Sequence, residues 1–108
     1  MFDAFANDVE RTANPAIADS ERLFIGVLGL AGEAGEACDW LKKYRGQGHP
    51  FNKNEIINEL GDILYYVFYV ANTLGVDVEY ILEENMLKRQ KRYPEGFDPD
   101  RSINRDSH

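Results

Sequence analysis

Apolar residues recur at helical spacing through most of the chain. Phe2, Phe5, Ala6, Val9 and Ala13 open the series, and Pro15 closes that segment. A long pattern then runs from about Ser20, a candidate N-cap, to about Tyr44. On a wheel of about 100° per residue, Leu23, Phe24, Val27, Leu30, Ala31, Ala34, Cys38 and Leu41 form one apolar stripe. The stretch RGQGHPFN, Arg45 to Asn52, reads as a loop from its Gly and Pro. Asn52 or Asn54 can cap a third helix, which runs to Leu74 with Gly75 as its stop. Its stripe is Ile56, Leu60, Ile63, Leu64, Val67, Val70, Ala71 and Leu74. Asp77 caps a fourth helix that ends near Tyr93, before Pro94. The tail EGFDPDRSINRDSH has no periodicity and predicts an irregular C-terminal segment. No useful length alternates at a strand period. The expectation is an all-α protomer resembling a four-helix bundle, built as a single domain over residues 1–108.

The second helical pattern contains GLAGEAGEACDWLKK, with Gly26, Gly29, Gly32 and Gly35 in series. The spacing matches neither a phosphate-binding P-loop nor a dinucleotide fingerprint, and no strand precedes it. The segment is helical despite its glycines, each of which costs about 1 kcal/mol against Ala in a helix interior. Gly26, Gly29, Glu33, Glu36 and Trp40 fall opposite the apolar stripe. Either a backbone or a ligand comes down closely onto this face, or the face is solvated and merely tolerates small residues.

Acids on the third helix bear on that choice. Glu59 and Asp62 are three apart, as Glu33 and Glu36 are, and Glu55 lies one turn earlier on the same face. Tyr66 and Tyr69 follow on that side. One such pair carries little weight in an acidic chain. Two pairs on two helices joined by a loop converge if the helices pack antiparallel. Four like charges across one gap call for protons or a divalent cation between them, and an oxygen-only ligand set favours Mg²⁺ or Mn²⁺ over zinc. A di-iron bundle with Glu-x-x-His pairs is disfavoured, because the histidines are His49 in the loop and His108 at the terminus. Cys38 lies on the apolar stripe, which suits a core residue better than a nucleophile. Trp40 can stack on a base or pack near its helix end. On the fourth helix Asn85, Lys88 and Arg92 share a face. They read as a solvated basic end favoured by the helix dipole or as a grip on phosphates.

Charge narrows the partners. Nineteen acids against 12 bases give a net charge of −7, which disfavours binding to a nucleic-acid polymer. All the bases except Arg11 and Arg22 lie in two stretches, Lys42 to Lys53 and Lys88 to Arg105, so a small phosphorylated ligand can still meet local positive potential. The opening MFDAFANDVER is not a secretory signal, no apolar run suits a membrane span, and the single cysteine fits a reducing, cytoplasmic setting.

Together the residues resemble the MazG-like nucleoside triphosphate pyrophosphohydrolases, whose pattern is Glu-x-x-Glu followed at a distance by Glu-x-x-Asp. Here GEAGEA carries Glu33 and Glu36, and NELGDI carries Glu59 and Asp62, with 22 residues between Glu36 and Glu59. The segment NMLKRQKRYPEGFDPDRSINR is similar to the C-terminal region of small members. The resemblance implies an all-α fold that forms a homodimer or a dimer of dimers. It implies Mg²⁺, with Mn²⁺ as a substitute, held by Glu33, Glu36, Glu59 and Asp62, and hydrolysis of a nucleoside triphosphate to the monophosphate and pyrophosphate. Glu36 or Glu59 would orient the water, and Asn85, Lys88 and Arg92 would contact phosphate, with Trp40 a further substrate-binding candidate. Gly29 and Gly32 stand where many members carry larger residues, so the shape of the base pocket is open. Two alternatives stand beside this reading: a narrow-specificity all-α hydrolase of the dUTP or dCTP type, and a non-catalytic helical dimerisation or regulatory module with a structural ion. A homodimer is expected to bury the Gly-bearing face and the tyrosine face of the third helix.

Overall fold

A computed structural model describes residues 1–104 and is all-α, with no strand among them. The helices are α1 (Phe2–Thr12), α2 (Asp19–Gly46), α3 (Lys53–Leu74), α4 (Val78–Arg92) and α5 (Pro99–Ile103). His108 and Arg105 lie outside the described residues. Among the described residues no helix is long and apolar enough to cross a membrane.

Helix ends follow local chemistry. Ala18 precedes α2 with no side-chain cap, so Ser20 sits inside the first turn instead of capping it. After α2, the amides of Gln47 and His49 both donate to the Lys43 carbonyl, and Gly48 takes a positive φ of 72° to make that turn. The Asn52 side chain accepts from the Glu55 amide at 3.2 Å and starts α3. Gly75, left-handed at φ 72°, stops it.

Residues Met1–Val76 form one compact unit. Within it α2 packs along α3, and α1 also packs against α3. The rings of Phe2 and Phe5 meet Phe68 at 6.2 and 4.7 Å between centroids, and Val9 is fully covered. Asn72 of α3 donates to the Ala6 carbonyl of α1 at 3.1 Å, a part-buried bond that ties the two helices. Among the described residues the buried ones are few: Val9, Gly26, Phe68, Tyr69, Ala71 and the acid Glu59.

That short list corrects the expected core. The apolar stripe of α2 does not face α3, because Phe24 and Val27 are 66% and 56% exposed and Leu23, Leu41 and Cys38 are also exposed. Leu60, Leu64 and Leu74 of the α3 stripe are exposed too. What packs between the two helices is the glycine face of one against the tyrosine face of the other. The physical reason is distance: glycine lets a helix approach more closely than leucine does, and aromatic rings on the partner helix fill the remaining space. The surface left uncovered in one chain is therefore the leucine stripe, not the glycine and tyrosine faces.

The second unit begins at Asp77. Its α4 starts after Asp77 without a side-chain cap bond and has no buried residue. Chain reversal follows at Gly96, φ 95°, beside an isolated bridge between Pro94 and Gly96. The tail is not wholly irregular: Asp98 accepts from the Asp100 amide at 2.9 Å, Pro99 follows at the first turn, and five residues wind into α5. A run this short carries no readable period.

Candidate active site

The antiparallel register of α2 and α3 sets the site. A Cβ built on Gly26 would lie 2.4 Å from Val70 Cγ2 and 3.0 Å from Tyr69, and one on Gly29 would lie 2.4 to 2.7 Å from three ring carbons of Tyr66. Only hydrogen fits at either position. Of the two explanations for the glycines, close approach is the one observed at Gly26 and Gly29, and the approaching groups are the side chains of Val70, Tyr69 and Tyr66 on α3. Gly32 and Gly35 meet nothing within 4 Å.

One turn further along the same register come the carboxylates. Glu33 from α2 and Glu59 and Asp62 from α3 place one oxygen each within 4.8 Å of one another. Glu59 is buried, and its Oε2 has no hydrogen-bond partner. Ionised carboxylates accept but cannot donate, so Glu33 and Glu59 can satisfy each other only by sharing a proton. That shared proton, then burial, then the charges of Glu33, Asp62 and Glu36 push the Glu59 carboxyl up to about 7. Glu36 is outside the converging trio, yet its charge reaches Glu59. An unpaired buried oxygen among acids is the arrangement that a hard divalent cation relieves, and an all-oxygen donor set fits Mg²⁺ or Mn²⁺.

Tyr66 borders this layer. It lies four residues after Asp62, as Gly29 lies four before Glu33, and burial followed by the charge of Glu33 raises its phenol pKa. The ring is hemmed edge-on by Tyr65 and Tyr69, 5.2 and 6.3 Å away. These neighbours are braced in turn: Tyr65 by the Thr12 hydroxyl at 3.4 Å, Tyr69 by the Arg22 guanidinium 4.5 Å from its centroid. Sequence reasoning put Tyr66 on the acid side but missed its seat against Gly29. A large residue and a glycine at matching distances from the two acid pairs were the signal.

Of the other sequence candidates, Trp40, Asn85 and Arg92 have local partners of their own. Trp40, further along α2, carries the Lys43 ammonium over its ring at 5.1 Å, and Lys43 also pairs with Asp39. Asn85, Lys88 and Arg92 belong to α4 in the second unit. Asn85 accepts from Arg89, Lys88 is exposed, and Arg92 lies over Tyr93 with its Nε buried and unpartnered.

The family model for the MazG nucleotide pyrophosphohydrolase domain matches residues 26–97. The chain belongs to the MazG nucleotide pyrophosphohydrolase family. The MazG match takes in both acid pairs, Trp40 and the α4 residues, and leaves α1 outside. A curated relative, the "Gene 37 protein" of Mycobacterium phage L5, is 35% identical over 80 residues, which is 70% of this chain and 70% of that protein. No solved structure matches. Membership places the activity generally among nucleotide pyrophosphohydrolases, which are hydrolases and typically metal-dependent.

Proposed function

We propose that this protein hydrolyses nucleoside triphosphates to the monophosphate and pyrophosphate, using a divalent cation, Mg²⁺ or Mn²⁺, held by Glu33, Glu59 and Asp62. The observation that carries the reading is the buried, unpartnered oxygen of Glu59 among the converging carboxylates of α2 and α3. When bound, the cation would offset polyphosphate charge, polarise the α-phosphorus and favour ionisation of water. Glu36 stands at the margin of the trio with its carboxylate uncommitted, which suits it to complete the ligand set or to take the proton of the attacking water. Water oxygen then bonds to the α-phosphorus, the bond from that phosphorus to the bridging oxygen breaks, and pyrophosphate departs with the electron pair.

Asn85, Lys88 and Arg92 are assigned to phosphate binding on chemistry, since ammonium and guanidinium groups make charge-assisted bonds to phosphate oxygens. Trp40 is assigned to the nucleoside, where an indole can stack on a base. A second copy of the chain is proposed to cover the exposed apolar residues of α2 and α3, among them Phe24, Val27, Leu60 and Leu64, because large apolar side chains left exposed together mark an interaction face.

Pyrophosphate release from a panel of ribo- and deoxyribonucleoside triphosphates, with Mg²⁺ and then Mn²⁺, tests the reading. Release that stops in chelator and in Glu59→Gln is expected. Full turnover in either condition would overturn the assignment.

A further inference from the structure

Among the α2 glycines, Gly26 and Gly29 are pressed against α3, and Gly29 is the one that abuts the carboxylate layer. An added methyl there would meet Tyr66 Cε1, Cζ and Cδ1 together, so it would strike the ring along one side and not a mobile tip. The ring has little room to yield. Tyr65 and Tyr69 stand edge-on to it, and both are braced, Tyr65 by Thr12 of α1 and Tyr69 by Arg22 of α2. A side chain at position 29 would therefore push the α2 backbone away from α3. One turn along α2 from that point is Glu33, whose oxygen must stay within 4.8 Å of those of Glu59 and Asp62.

We propose that Gly29 and Tyr66 are positioning residues whose contact sets the spacing between α2 and α3 at the carboxylate layer, and through it the affinity for the cation. The inference rests on the metal reading above. Neither residue contacts the cation. Gly29 admits the helix, and the Tyr66 ring stops it at the distance where Glu33 faces Glu59 and Asp62. Three oxygens fixed to a common point bind a small hard cation better than the same oxygens splayed, because Mg²⁺ demands short, near-ideal octahedral coordination and any cation binds more weakly to ligands that must first be drawn together. Groups that hold metal ligands without touching the metal commonly change affinity by roughly 10- to 100-fold when altered.

The full-length protein, titrated with Mn²⁺ alone and followed by the electron paramagnetic resonance of the free ion, tests this without any turnover. Gly29→Ala should weaken Mn²⁺ binding about tenfold or more, with helix content retained well below its melting temperature. Tyr66→Ala should weaken it as well, by removing the stop. Gly29→Ala together with Tyr66→Ala should bind better than either single variant, because the added methyl then occupies space the ring has left. If Gly29→Ala does not fold, the double variant compared with Tyr66→Ala still decides. Wild-type affinity in Gly29→Ala, or a double variant no better than Tyr66→Ala, would overturn the proposal while the metal site stands. Absence of Mn²⁺ binding in the wild type would instead remove the metal reading and this inference with it. A merely structural role for the pair would lower the melting temperature and leave the affinity of the folded protein unchanged.

Discussion

Arg22 stacks its guanidinium on the ring of Tyr69 while its terminal nitrogens grip both oxygens of Glu10, so one side chain ties α1 to α2 and α3. The pair is unequal in exposure, with the Arg22 side chain 13% and that of Glu10 46% accessible. Solvent screening at the open end keeps the bond to the low side of the range for charged hydrogen bonds. Arg22→Ala should therefore cost about 1 to 2 kcal/mol, with the lost packing on Tyr69 included. Denaturant melts and protease sensitivity of α1 measure it. The hydrogen bond from Arg22 holds the Glu10 carboxyl below its usual range. A lowered carboxyl pKa adds stability that is present above about 4.5 and is lost as pH falls through the folded value. Arg22→Ala should flatten that acid limb, and an unchanged acid limb would show that the pair is not coupled to folding.

Glu59 works in the opposite direction. Its carboxyl is raised to about 7, chiefly by the proton shared with Glu33. The folded metal-free protein then holds a proton that the unfolded chain has released, so stability should fall as pH rises from about 4.5 to about 7 and level off above. Glu59→Gln removes the charge. In chelator at pH 8 it should melt higher than wild type, yet lose turnover by at least about a hundredfold. Mn²⁺ must displace the proton, so wild-type affinity should weaken about tenfold for each pH unit below 7. Melting curves and Mn²⁺ titrations across pH 5 to 8 check both. A Glu59→Gln protein that melts lower in chelator would contradict the crowding of charge.

Helix positions were legible where a residue imposes a backbone state. Pro15 stands just past α1, Gly75 stops α3 and Asn52 caps it, and each acts within its own turn. The meeting of Glu33 with Glu59 and Asp62 was legible too, because matching spacings on two antiparallel helices leave few registers. The choice of inner face was not. On α2 both a leucine stripe and a glycine stripe offered a contact, and periodicity ranks them by hydrophobicity, whereas the structure ranks them by how closely a tyrosine ring can sit. Phe68 and Tyr69 became core through α1 and Arg22, which lie far from them in sequence. No local pattern on α3 announces that.

The exposed stripe supplies a test of assembly. Leu28 is 68% accessible and lies with Phe24 on the outer side of α2. If a second copy covers it, Leu28→Glu places charge inside an apolar interface and should shift sedimentation at micromolar concentration from dimer toward monomer. The isolated protomer should keep its helix content, since Leu28 contributes little to the core of one chain. A wild-type protein that sediments as a monomer, or a Leu28→Glu dimer, would show that this face is not the interface.

Lys88 tests whether α4 takes part in the chemistry. The face bearing Val78 and Ile81 turns polar and cationic at Asn85, Lys88 and Arg92, toward the C-terminal end of the helix. If Lys88 meets the phosphate charge that shifts as pyrophosphate leaves, Lys88→Ala should cut kcat/KM on the order of a hundredfold, comparable to losing one donor to a developing oxyanion. The melting temperature should move little, because Lys88 is exposed and such residues contribute small amounts. A solvated lysine that only complements the helix dipole predicts the reverse, with near-normal kinetics and a slight loss of helix stability. Steady-state kinetics beside a melting curve separates the two. Turnover at the wild-type level would confine the chemistry to residues other than Lys88, leaving α4 no charge-stabilising role at this position.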